Sequence, residues 1–320
     1  MSPDLAPPQG LHDLVGAFAG TARAVVDLAR TCSSDDLARP TDCPGWTVHD
    51  QISHVVGVEA WLAGHRDPRV EIPPYEHIRN GLGKKVEYAV EVRRGRTGPE
   101  VLAELESVLA QRLSTLGDPS LTDTSVIEGP FGPDQAATVV LLRTFDVWTH
   151  EQDIRCALGR PGNLDSPAAA VCVSTIMGRL PKLIARGAAL EPGTTVVIDV
   201  TGPGPVAARQ GVRVELDEQG QARGHAVPTV PTAPAVPGVS AVPGVPTAPT
   251  APTAPADESN VTADRAPGSS QLEPLVTISL SAEAFTRHAA GRRSVSDTAY
   301  DVVGDADIAR SVLEAMVVTH

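Results

Sequence analysis

Cys43-Pro44-Gly45-Trp46-Thr47-Val48-His49-Asp50-Gln51-Ile52-Ser53-His54 reads as a turn that opens into a helix. Pro44 and Gly45 supply the turn. Thr47, with Asp50 at the third helical position, has the form of a capping box, in which side chains satisfy the first free backbone N–H groups. The helix is expected from Val48 to Gly64. At about 100° per residue, His54 falls on the side shared by Val58, Trp61 and Leu62, which should face the core. One turn either way offers no ligand, since Asp50 is spent at the cap and position 58 is Val58. An ionisable group so placed needs partners from another part of the chain.

A second stretch supplies them: Arg143-Thr144-Phe145-Asp146-Val147-Trp148-Thr149-His150-Glu151-Gln152-Asp153. It lies in a helix expected from Asp134 to Leu158, with Gly159 as its C-cap and Pro161 beyond. Val139, Asp146, His150 and Ala157 share a narrow arc, with Leu142, Arg143 and Asp153 at its margins. Asp146 and His150 stand at i and i+4, so both can point at one ion. Together His54, Asp146 and His150 offer two imidazoles and a carboxylate, a donor set suited to a divalent metal with open positions. The competing reading is structural: a hydrogen-bonded core histidine, with Asp146–Arg143 and Asp153–Arg155 as ion pairs. Trp46 and Trp148 are read as packing residues, Cys43 as a small buried residue with a reactive thiol near the helix start as the alternative, and His65 as rim or surface.

Around these stretches the chain divides by periodicity. Helical spacing runs over Leu11–Arg30, and Ser33 to Pro40 reads as a loop. Asp67 to Arg96 reads as irregular, with a helix around His77–Arg93. Pro99–Leu116 is helical, with Pro99 near the first position. Phe131-Gly132-Pro133 breaks the chain, and a helix is expected over Pro167–Gly187. From Glu191 the pattern changes to strands: Thr194–Val200, Gly211–Leu216, a turn at Glu218–Gln221, Ala222–Ala226 and Leu275–Leu280. Helices over Ser281–Ala290 and Asp305–Val317 flank a strand within Val295–Val303.

Prolines at every third residue from 228 to 237 and from 243 to 255 have the period of polyproline II. This tract, about 227–271, reads as a disordered insertion. It is either a tolerated loop or a docking segment for a Pro-recognising partner.

The bulk numbers exclude several classes. A net charge of −13 argues against nucleic acid and against an anionic membrane surface as partners. No apolar stretch matches a membrane span or a secretory leader. The four cysteines show no paired metal-ligand spacing, so a reduced, cytoplasmic chain is expected. Aromatics are only 3% of residues, so the core must be built mainly from Leu, Val and Ala.

The pattern Pro40-x-x-Cys43-Pro44-Gly45-Trp46-Thr47-Val48-x-Asp50-x-x-x-His54, followed by Arg143-x-x-Asp146-x-x-x-His150-x-x-Asp153, resembles the mycothiol-dependent maleylpyruvate isomerase family. That family is a branch of the DinB-like metal-binding four-helix bundles. Phe285-Thr286-Arg287-x-Ala289-Ala290-Gly291-Arg292-Arg293, Val303-Gly304-Asp305-x-Asp307-x-Ala309 and Val317-Val318-Thr319 are similar to its smaller α+β domain. The resemblance implies a two-domain chain. A DinB-like bundle over 8–190 is followed by an α+β domain over 191–320 that carries the Pro-rich insertion. It implies a metal, zinc in most members, held by His54, Asp146 and His150. Asp146 stands where the family usually has Glu, so this carboxylate reaches one carbon less far. A family arginine implicated in activity maps to Arg292, with Arg293 adjacent.

The function implied is a metal- and mycothiol-dependent enzyme. The thiol adds to an electrophilic small-molecule substrate, giving cis–trans isomerisation or thiol transfer. The alternative is a non-catalytic metal-binding or regulatory module that recruits a partner through the Pro-rich segment.

Overall fold

The computed structural model describes residues 10–228 and 276–318. All of the Pro-rich tract beyond its first two residues lies outside the described residues, so the expectation of disorder there meets no observation.

The helical half holds α1 (Leu11–Arg30), α2 (Ser34–Leu37), α3 (Val48–Leu62), α4 (Gly81–Glu91) and α5 (Gly98–Leu116). A two-strand hairpin, β1 (Val126–Ile127) and β2 (Asp134–Gln135), then leads into α6 (Ala136–Leu158). The segment expected to be a loop after α1 holds the single turn α2, because Ser33 and Asp36 form a capping box. Asp134 and Gln135, expected in α6, instead pair with Ile127 and Val126. Phe131, at the break before them, is 73% exposed at the hairpin tip.

Local chemistry explains the start of α3 and the end of α6. Thr47 accepts from the Asp50 N–H while the Asp50 carboxylate accepts from the Thr47 N–H at 2.9 Å, so both orphan donors are satisfied. Gly159 ends α6 at φ 63, in the left-handed region where glycine carries no Cβ penalty. α1, α3, α5 and α6 turn aliphatic faces to one core that includes Phe18, Val25, Val48, Val55, Leu105 and Ile154.

α7 (Pro167–Gly187) follows, then β3 (Thr195–Thr201), β4 (Ala208–Leu216) and β5 (Ala222–Val227). The described chain resumes with β6 (Val276–Ser281), α8 (Ala282–Ala289), β7 (Asp301–Gly304) and α9 (Ala306–Ala315). The five-stranded sheet has the order β5-β4-β3-β6-β7. β3 and β6 are parallel and the other neighbours antiparallel, so β5 runs in the same direction as β6 with two strands between them.

α7 is long and apolar enough to cross a membrane, yet most of its apolar stretch is buried within the fold. Ile176, Leu180 and Ile184 pack with Val196, Ile198, Val214 and Phe285 in the second core. Phe145 and Trp148 of α6 join that core, while Val171 of α7 joins the first. α6 and α7 therefore lie between the two cores and set the sheet half against the helical half.

Candidate metal centre

His54 reaches the centre from α3, and Asp146 and His150 from α6. His54 Nε2 lies 3.2 Å from Asp146 Oδ2, and His150 Nε2 lies 3.6 Å from Asp146 Oδ1. One ligand atom from each of the three lies within 4.8 Å of the others. The two histidines are buried, while the Asp146 side chain is 33% exposed and is the group that opens the site.

The ring orientation of His150 is set by its other nitrogen. Nδ1 contacts Gln51 Oε1, and Gln51 Nε2 donates to Thr41 Oγ1 at 2.7 Å. Thr41 in turn donates to the Trp46 carbonyl at 2.9 Å. The turn of the first stretch thus fixes an amide that accepts from Nδ1–H and leaves Nε2 facing Asp146. Asp153 stands behind the same edge, with Oδ2 3.5 Å from His150 Nδ1. Such an outer partner orients a metal-binding imidazole and raises its basicity.

Trp46 closes one side. Its ring lies 5.1 Å from that of His54 and 5.8 Å from that of His150, and its Nε1 donates to Glu87 Oε2 at 2.9 Å. His77 donates to the same Glu87 oxygen at 2.8 Å. The His77 ring occupies the space a Cβ at position 45 would need, so the turn requires Gly45, which also sits at φ +78.

Charge is balanced along a buried chain. Arg143 Nη1 donates to Asp146 Oδ2 at 2.9 Å and Arg143 Nε to Glu59 Oε1 at 2.7 Å. Arg112 Nε donates to the other Glu59 oxygen at 2.9 Å. Burial would raise the Asp146 pKa, but Arg143, His54 and His150 hold it well below the usual carboxylate range. Burial pushes His54 down, with Asp146 opposing, and favours the neutral imidazole. His150 is raised: burial lowers it, but Asp146 and Asp153 outweigh that.

The donor set fits a divalent metal by its chemistry. Two imidazoles and an ionised carboxylate are donors a divalent metal takes; His54 is already favoured in its neutral form, and His150 would release its Nε2 proton on binding. His54 Nδ1 is buried without a hydrogen-bond partner, so this ring is not satisfied by protein contacts alone.

Of the other expected residues, Arg292 comes from the segment after α8 to the back of the site. Its Nε and Nη2 engage Asp153 at 3.1 Å and its Nη1 donates to the Ala290 carbonyl at 2.9 Å. Arg293 pairs instead with Glu283. Both ion pairs weighed from the sequence are accounted for: Arg143 does bind Asp146, whereas Arg155 binds Glu151 and leaves Asp153 to Arg287 and Arg292. Trp148 packs in the second core and donates to the Asn163 carbonyl. His65 is at the surface against Gln111. Cys43 is half-buried, and burial pushes its thiol up to about 11 despite Arg292 nearby. Sequence reasoning gave no role to Gln51, Glu59, Asp42 or Arg287. Only Glu59 carried a signal, a carboxylate within a helix face that is otherwise apolar.

Residues 18–155 match the family model described as the mycothiol maleylpyruvate isomerase N-terminal domain. A search of curated proteins finds no match. Two similar solved structures are the mycothiol-dependent maleylpyruvate isomerase and a mutant of it. Both are 14% identical to this chain over 91% of its length and 92% of theirs, with TM-scores of 0.44 and 0.45.

Proposed function

We propose, from the match of residues 18–155 to the mycothiol maleylpyruvate isomerase N-terminal domain, that the chain is a metal- and mycothiol-dependent enzyme. In this reading α1, α3, α5 and α6 form a DinB-like four-helix bundle, and His54, Asp146 and His150 hold one divalent metal, zinc by the family likeness. The observation that carries it is the convergence of these three side chains from two helices, within 4.8 Å, at the one partly open point of a buried charge chain.

A bound divalent ion would supply Lewis acidity that holds a coordinating thiol as its thiolate. The chain's own residues do the rest. Gln51 and Asp153 keep His150 turned with Nε2 inward. Trp46 excludes water from the shared side of both imidazoles. The co-substrate is a low-molecular-weight thiol, and the partner substrate an electrophilic carbon that accepts it. Addition to a cis double bond followed by elimination gives the trans isomer, while addition alone gives thiol transfer.

The test is a thiol-consumption assay with mycothiol and a panel of electrophiles, cis-enone diacids included. Turnover above the metal-stripped background supports the enzyme reading. A second reading, a non-catalytic metal-binding or regulatory module, is favoured by the Arg143–Asp146 contact at 2.9 Å, which ties up the shorter carboxylate. Metal uptake without turnover on any electrophile would favour it.

A further inference from the structure

Arg287 on α8 is the point where the sheet half meets both stretches that build the metal centre. Its side chain is only 4% exposed. Nη1 engages Asp153 of α6, and Nη2 donates at 2.6 Å to Asp42, the residue before Cys43 in the turn. Its Nε is buried without a hydrogen-bond partner. A buried donor left without a partner is uncommon, and this one is held in place by the two carboxylates at the far end of the same guanidinium.

Two routes lead from this guanidinium to the same ring nitrogen. Through Asp153 it reaches His150 Nδ1, 3.5 Å from Oδ2. Through Asp42 it anchors the turn whose Thr41 hydroxyl takes the Gln51 amide, and Gln51 Oε1 faces His150 Nδ1. Arg292 adds a second grip on Asp153 and lies near the Cys43 thiol of the turn. We infer that Arg287, backed by Arg292, is a positioning residue that sets the His150 imidazole from the sheet half, so that the metal centre is complete only when α8 is docked. The inference rests on the metal reading proposed above. It assigns both arginines to the ligand's support and not to contact with substrate.

Lysine is the informative replacement. It keeps the positive charge near the ion but lacks the planar fork that holds two carboxylates at once. Outer partners of a metal-bound histidine are worth about 10–100-fold in affinity. Arg287→Lys in the full chain should therefore weaken zinc binding about tenfold or more in competition with a chromophoric chelator. The cobalt-substituted absorption spectrum should shift, with cooperative melting retained. Arg293→Lys, facing Glu283, should leave affinity and spectrum unchanged.

If Arg287→Lys fails to melt cooperatively, Asp42→Asn decides. That side chain is 41% exposed, so the change removes the turn anchor without emptying the interior, and it should weaken zinc in the same direction. Affinity within twofold of the parent, with an unshifted cobalt spectrum, in whichever variant folds would overturn the inference and leave the metal reading standing. A parent chain that takes up no metal would overturn both.

Discussion

At the scale of single residues, the centre depends on how each polar atom is occupied. His150 has Nδ1 committed to Gln51 and Asp153, and its Nε2 is turned to Asp146. His54 and Asp146 were legible because an ionisable group on an inward face demands a partner, and the spacing of 146 and 150 fits one turn of helix. Gln51 and Arg287 were not. A glutamine that orients a histidine from a neighbouring helix has no signature in local spacing, and the Arg287 contact to Asp42 joins residues far apart in the chain. Cys43 gives a direct check on the electrostatics. With its thiol pushed up to about 11 by burial, alkylation by iodoacetamide at pH 7–8 should leave Cys43 unmodified by mass spectrometry, its rate rising only as the pH approaches that value. Rapid labelling at neutral pH would contradict the account.

At the scale of elements, the capping signals and turn residues were readable and the inward face of α6 was not. From Arg143 to Ile154 every residue of α6 is buried except Asp146. A helix enclosed by α1, α3, α7 and the sheet half has no solvent side for periodicity to mark. The arc through Val139 and Ala157 therefore picked out Asp146 and His150 but understated how much else is buried, and Ala157 itself is only partly buried. Glu59 is the keystone between helices: it is fully buried between Arg112 of α5 and Arg143 of α6. Removing one member of a buried ionic network leaves charges uncompensated, at a cost of about 3–5 kcal/mol. Glu59→Ala should lower the urea midpoint accordingly, whereas Thr47→Ala, which removes only the α3 cap, should cost about 1 kcal/mol. Equal costs for the two would show that the Glu59 network adds nothing beyond a surface cap.

At the scale of the whole molecule, helix-then-strand order was clear from the change of period after residue 190, but strand order was not, because register is set by pairs distant in sequence. One consequence bears on the Pro-rich tract. β5 and β6 run in the same direction with β4 and β3 between them, and Val227 at the end of β5 is level with Thr277 at the start of β6, so the connection has to cross only three strand spacings, about 14 Å. Replacing residues 229–275 by a Gly/Ser linker of about 15 residues should preserve melting and metal uptake. Loss of either would show that the tract itself takes part in the fold. The junction between the halves should also be acid-sensitive. Asp153 is held well below its usual value: burial would raise it, but His150, Arg292 and Arg287 outweigh that. A carboxylate depressed in the folded state contributes stability that is complete above its unfolded pKa, about 3.9. That contribution is lost as pH falls from there towards the folded value. Acid unfolding of Asp153→Asn should therefore be less steep than that of the parent below about pH 4, and identical slopes would argue against the junction. Whether His54, Asp146 and His150 hold a metal is decided by the metal content of the purified chain and its variants, measured by inductively coupled plasma mass spectrometry. About one zinc per parent chain is expected, lost in His54→Ala and in His150→Ala; stoichiometric metal retained in both variants would overturn the ligand assignment.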